Sequence, residues 1–306
     1  MRDTFFSELD LAAQNDPNIV LITGDLGFGV LDNFIKNNPK QFINAGIAEQ
    51  NMMGVAAGLA LTGKKVYVYS IGLFPTIRCL EQIRNDVIYH QCDVKIISVG
   101  AGFSYGQLGM SHHALEDIGI IYSLPGINIY SPSSIDEVKD SIKSQLMESC
   151  PSYLRLDKTK IELHSSLSIG DGVNLICGDG GGISIMGTGG VVNQAIQAHQ
   201  MLNTIGIKSS VYSVYKIRPL DVNVLIEIAK RSQKVAILEE HFNNSGLSSI
   251  VANTLFDADI RILKWARFSI LGGYISEVGD QAHLRSIGNI DARAIFNKLR
   301  MWRDVN

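Results

Sequence analysis

Ile47-Ala48-Glu49-Gln50-Asn51-Met52-Met53-Gly54-Val55-Ala56-Ala57-Gly58-Leu59-Ala60 is the stretch whose reading decides this chain. Ala, Met and Leu dominate it, and the bulky apolar residues recur at helical spacing, so a helix is predicted. Small residues at Gly54, Ala57 and Gly58 allow another backbone to approach closely. One acid, Glu49, falls in the first turn, ahead of the apolar run. A carboxylate there also serves as a plain cap against the helix dipole. The cap alone accounts for the residue type, so any chemical role must come from the surrounding string.

Working outward, Ile19-Val20-Leu21-Ile22-Thr23 reads as a short buried strand. It enters the turn Gly24-Asp25-Leu26-Gly27-Phe28-Gly29, which can approach a ligand closely. The glycine offsets there do not fit the dinucleotide fingerprint. Residues 3–15 are predicted to form an amphipathic helix with Phe6, Leu9, Ala12 and Ala13 on one side. Further strands are predicted at 66–70, 94–99, 127–130 and 153–156, with a helix from about 74 to 89. Ser131-Pro132-Ser133-Ser134 offers an N-cap to the next helix. Gly58-Leu59-Ala60-Leu61-Thr62-Gly63-Lys64-Lys65 nearly spells a phosphate-binding loop, but Lys65 takes the Ser/Thr place and the glycines close a helix.

From 161 to 182 the sequence turns polar and Gly-rich, which predicts a linker and a fresh start. Strands at 183–186, 211–215 and 235–238, a helix over 191–205 and a closing helix over 291–301 then repeat the alternation. The expected fold class is α/β, as two consecutive three-layer αβα domains with parallel sheets, residues 1–165 and 166–306.

The bulk properties narrow the partners. The 306 residues suffice for two cores, and 46% hydrophobic against 19% charged residues describes a folded, rather apolar protein. A net charge of −3 without a basic run predicts neither nucleic acid nor membrane as partner. Met1 to Glu8 carries acids where a secretion signal has its apolar core, so a cytoplasmic protein is expected. Cys79, Cys92, Cys150 and Cys177 lack metal-ligand spacing and read as ordinary thiols.

Ala45-Gly46-Ile47-Ala48-Glu49-Gln50-Asn51 resembles the signature of the pyrimidine-binding domain in thiamine diphosphate enzymes of the transketolase family. The resemblance implies that Glu49 touches N1′ of the aminopyrimidine and activates the cofactor. Three further segments resemble family motifs. In Ser70-Ile71-Gly72-Leu73-Phe74, anchored by Glu81-Gln82-Ile83-Arg84-Asn85, Phe74 matches an aromatic that stacks on the pyrimidine. Ile71 stands where a Phe is usual. Asp25, in the glycine turn, is a further candidate at the cofactor. Gly109-Met110-Ser111-His112-His113 is similar to a segment whose His reaches the substrate channel, a role carried to catalytic His112, with His113 beside it in place of a usual Gln. Arg155 matches a strand-end Arg that holds a substrate phosphate. Leu108 and Gly100 replace an Asp and a His common in sugar-transferring relatives, which puts the ordinary ketose-phosphate substrate in question. Glu239-Glu240-His241 resembles a turn of the family's C-terminal domain and is read as structural support.

The family also needs a diphosphate- and Mg²⁺-binding domain, marked by G-D-G and a downstream Asn. Gly178-Asp179-Gly180 heads the second domain, and a Gly-rich turn explains it fully. The resemblance therefore implies the C-terminal subunit of a split transketolase, with thiamine diphosphate and Mg²⁺ held mainly by an N-terminal partner. An α2β2 heterotetramer with β–β contacts is the expected assembly, and a sugar or sugar phosphate the substrate. The alternatives are a deoxyxylulose-phosphate-synthase-like enzyme, a 2-oxoacid dehydrogenase β subunit, or a non-catalytic binding or regulatory module.

Overall fold

The computed structural model describes residues 1–158 and 167–303. The first sheet contains β1 (Ile19–Thr23), β2 (Phe42–Asn44), β3 (Lys65–Ile71), β4 (Val94–Val99), β5 (Asn128–Tyr130) and β6 (Ser152–Leu156). These run parallel in the order β5-β6-β4-β3-β1-β2. Alternate residues of β1 explain why both faces are covered. Ile19 and Leu21 enter one apolar core with Phe5, Phe6 and Leu9, whereas Val20 and Ile22 enter another with Met52, Met53 and Ala56. The first core is closed by the helices Arg2–Asn15 and Ile135–Met147, and the second by the helix Glu49–Leu61.

The second sheet contains β7 (Leu167–Gly170), β8 (Val173–Cys177), β9 (Ile183–Gly187), β10 (Ser209–Val214), β12 (Lys234–Phe242) and β13 (Lys264–Ile270), in the order β13-β12-β9-β10-β8-β7. Between β10 and β12, β11 (Lys216–Arg218) leaves its own domain and pairs antiparallel with β5 of the first sheet. The α/β architecture in two domains is as the sequence implies, with a mixed rather than purely parallel second sheet. Among the described residues, no helix is long and apolar enough to cross a membrane.

Two expectations are corrected. The stretch read as a linker contains the antiparallel hairpin β7–β8, with Val173 and Leu175 in the core of the second domain or packed against it. The proposed boundary at 165/166 lies outside the described residues. The helix expected from about 74 begins later, as a 3₁₀ turn Ile77–Cys79, a short α segment Leu80–Gln82 and a π-helical turn Ile83–Ile88. Pro75 disfavours helical backbone at the residue before it, which leaves Phe74 in the turn after β3.

Buried charge joins the domains. Arg155 donates to Asp117 Oδ2 at 2.7 Å, to the Ala114 carbonyl at 2.7 Å and, across the domain boundary, to the Glu240 carbonyl at 3.0 Å. Tyr153 donates its hydroxyl to the same Asp117 oxygen at 2.6 Å. Arg155 is 2% exposed and spends Nε and Nη2 on these buried acceptors, which sets it away from the solvent-facing channel a substrate phosphate would enter. A second pair, Arg285 to Glu240 at 2.7 Å, lies beside Asp157. Gly102 makes this approach possible, because a Cβ there would stand 2.4 Å from Glu240 Cγ.

Removing one partner of a buried pair strands the other charge. Arg155→Met is therefore expected to lower unfolding stability by about 3–5 kcal/mol, measured by urea titration. A variant of wild-type stability with only a raised KM would instead return Arg155 to the substrate channel.

Candidate functional site

The candidate site lies beyond the carboxyl ends of β1, β3 and β4, where ligands collect on open parallel sheets. Glu49 opens its helix with Ala48 as N-cap and is 3% exposed. Met52, Met53, Ala56 and Ala57 pull the following turns into the core, which draws the carboxylate down with them. Gly24 forms the opposite wall: a Cβ there would lie 3.7 Å from Glu49 Cγ and Oε1. A Cβ at position 24 would stand in ordinary van der Waals contact with the carboxylate.

A buried carboxylate needs a partner. Arg78, from the turn Ile77–Cys79, donates Nη1 to Glu49 Oε2 at 2.6 Å. The same guanidinium lies 4.3 Å from the centroid of the Phe74 ring. The neighbouring Cys79 thiol is pushed up to about 12, first by burial and then by the charge of Glu49. Phe74 in turn meets His112 edge to face, with ring centroids 5.5 Å apart. Glu49, Phe74 and His112, separated by up to 63 positions in sequence (112 − 49), are thus linked in one contiguous row.

His112 sits half-buried on the 3₁₀ turn Met110–His112, its Nδ1 3.1 Å from Ser111 Oγ. His113 does not join it. That ring is 2% exposed and packs 5.1 Å from Phe103, and burial lowers its pKa below the ordinary imidazole value. The structure assigns His113 to the interior, so the substrate-contact expectation for it is corrected. Ile71 ends β3 and packs half-buried against the core that holds Tyr69 and Val99. Asp25 has left-handed backbone, φ 57°, and exchanges hydrogen bonds with Asn44 at 3.1 and 2.9 Å. Its carboxylate clasps the ends of β1 and β2 at the rim.

Three residues of the site escaped the reading of the sequence: Arg78, Tyr105 and Lys158. Tyr105 fills the space that any side chain at position 100 would need: a Cβ on Gly100 would come within 2.4 Å of its ring. Its ring centroid lies 6.5 Å from that of His112. Lys158, exposed just past β6, holds its ammonium 4.1 Å from the centroid of Tyr105. It is three residues beyond Arg155, and no motif distinguishes it from a surface lysine. Leu108, 58% exposed, completes an apolar rim with Met110.

The arrangement fits an aminopyrimidine: an acidic oxygen buried at one end, an aromatic face beside it, and an imidazole farther along. Among the described residues, no group of three or more His, Cys, Asp or Glu side chains could hold a metal ion.

Comparison with known proteins gives the family. The family model of the transketolase pyrimidine binding domain matches residues 1–162, and that of the transketolase C-terminal domain matches residues 173–275. The chain belongs to the transketolase family. It is similar to a subunit of the apulose-4-phosphate transketolase of Phocaeicola vulgatus, 34% identical over 85% of this chain and 85% of that protein. It is 31% identical to the 1-deoxy-D-xylulose-5-phosphate synthase of Halothermothrix orenii over 92% of this chain, but spans 44% of that enzyme. A solved structure described as a split gene transketolase, inactive β4 tetramer, superposes with a TM-score of 0.86 at 28% identity, covering 98% of this chain and 96% of that one.

The buried His113 carries a pH signature. Its pKa is lowered in the folded state by burial, so its contribution to stability is fully present above the ordinary value of 6.5 and is lost as pH falls through the lower folded value. The urea midpoint is expected to decline below about pH 6.5, and His113→Phe to remove part of that decline. His199, lowered by burial as well, carries a further part. A midpoint profile unchanged by His113→Phe would show that this imidazole titrates normally.

Proposed function

We propose that this chain is the C-terminal subunit of a split, thiamine diphosphate-dependent transketolase that moves a two-carbon ketol unit from a ketose phosphate to an aldose. The observation that carries the reading is the buried Glu49 carboxylate set against Phe74 and His112 at the carboxyl edge of the first sheet. Thiamine diphosphate, when bound, supplies the electron sink for carbon–carbon cleavage. Glu49 holds a hydrogen bond at N1′ of the pyrimidine, and Phe74 offers its ring face. His112, partly exposed beside Phe74, orients substrate hydroxyls or moves a proton at a substrate oxygen. Lys158 replaces Arg155 as the cation for the substrate's phosphate, acting as a point charge at the mouth.

The diphosphate and Mg²⁺ belong to a partner subunit in a cytoplasmic α2β2 assembly with β–β contacts. The description of the solved relative as an inactive β4 tetramer supports a subunit that is idle alone. The name of the Phocaeicola relative supports a phosphorylated ketose as donor class.

Reconstitution with the N-terminal partner, Mg²⁺ and thiamine diphosphate tests the reading. Glu49→Gln is expected to lower kcat by about 10²-fold or more while leaving the subunits assembled. Full activity in that variant removes the assignment. Pyruvate should give no deoxyxylulose phosphate; its formation would favour the synthase-like alternative. Lys158→Met is expected to raise KM for phosphorylated donors roughly tenfold with kcat little changed, as loss of uniform binding predicts.

A further inference from the structure

Arg78 stands where Glu49 and Phe74 converge, and it uses both at once. Its Nη1 donates to the Glu49 carboxylate at 2.6 Å, and its guanidinium carbon lies 4.3 Å from the Phe74 ring centroid. A planar, nitrogen-bearing group that gives an N–H to Glu49 and a face to Phe74 has the two recognition features of an aminopyrimidine. While Arg78 holds Glu49 Oε2 and lies against the Phe74 ring, a pyrimidine that uses the same oxygen and the same ring face is excluded.

We infer that Arg78 is a latch that fills the pyrimidine seat in the cofactor-free subunit and must swing out before the cofactor's pyrimidine can enter. The inference rests on the proposed cofactor role of Glu49 and adds a residue that competes for the seat. Three features suit Arg78 to this. Its side chain is 45% exposed, whereas Glu49's is 3% exposed, so the arginine can return to water and the acid cannot. It sits on a single 3₁₀ turn, Ile77–Cys79, rather than inside a long helix. And the buried carboxylate has a standing need for a cation or hydrogen-bond donor, which the latch supplies until the pyrimidine does. Closing the latch keeps Glu49 from being left as an isolated buried charge.

A seat that is open one-tenth of the time weakens apparent affinity about tenfold. Thiamine diphosphate binding to the reconstituted two-subunit complex, with Mg²⁺, is measured by titration calorimetry for wild type, Arg78→Ala and Arg78→Gln. Both variants are expected to bind the cofactor about tenfold more tightly and with a faster association rate. Both should keep the wild-type circular dichroism spectrum, since the truncated side chain is nearly half in water. Arg84→Gln, which removes a neighbouring exposed arginine bonded to Asn85, should leave the affinity unchanged. Affinity that is unchanged or weaker in both Arg78 variants overturns the latch, and a weaker one makes Arg78 a cofactor contact instead. Cofactor binding to wild type without tightening in the variants removes the latch alone. Absence of binding in wild type and all variants removes the cofactor reading, and the latch with it.

Discussion

Everything at the site depends on how the second domain grips one loop of the first. The loop leaves β4 at Gly100, carries Tyr105 and His112, and ends where the short helix Asp117–Tyr122 begins. Near its start, the Phe103 amide donates to Glu240. At its end, Arg155 holds Asp117 and the Ala114 carbonyl while reaching the Glu240 carbonyl. Just beyond, the Gly119 amide donates to His241 Nε2 at 3.2 Å. Buried ion pairs add little net stability against well-packed apolar substitutes, because desolvation offsets much of the attraction. What they do supply is a strong penalty for every arrangement in which one partner is missing. Glu240 and Arg155 therefore fix the loop's position more than they raise the stability of the fold.

The same electrostatic logic, applied to Glu49, gives a different result. The Glu240 carboxylate is answered by Arg285 and a backbone amide, both buried with it. Glu49 is answered by an arginine whose side chain is nearly half in solvent. One acid is enclosed together with its partner, and the other meets a partner that reaches solvent. The two carboxylates differ in this although both are about 3% exposed. Burial of the acid alone does not distinguish them; the exposure of the partner does.

Much of the fold was legible in the sequence because its strands are short apolar runs, several of them bounded by glycine. The string Ser131-Pro132-Ser133-Ser134 offers an N-cap, and the Ser134 hydroxyl accepts from the Glu137 amide. Local periodicity could not show the hairpin β7–β8, whose glycines look like a linker until the strand pairing is seen. Nor could it show β11 crossing to β5, since three residues carry no period. In the site, Glu49, Phe74 and His112 were found through motifs, and the structure links them. Arg155 misled because strand-end position says nothing about which way a side chain faces. His113 misled because adjacent residues on a tight turn diverge, one to the rim and one to Phe103. Arg78, Tyr105 and Lys158 were invisible, since none was marked by a recognisable string and their contacts are made only in three dimensions.

Tyr105 and Lys158 change what the missing polar groups mean. Gly100 is small because Tyr105 occupies its side-chain space, so the glycine and the tyrosine form one unit. Its φ of 105° also disfavours any other residue there. The channel has thus exchanged a polar side chain on the strand end for a phenol that arrives from the loop. Tyr105 then presents one part of its ring to His112 and another to the Lys158 ammonium. With Leu108 exposed at the rim, apolar and aromatic residues lie between the Glu49–Arg78 pair at the bottom and the Lys158 ammonium at the mouth.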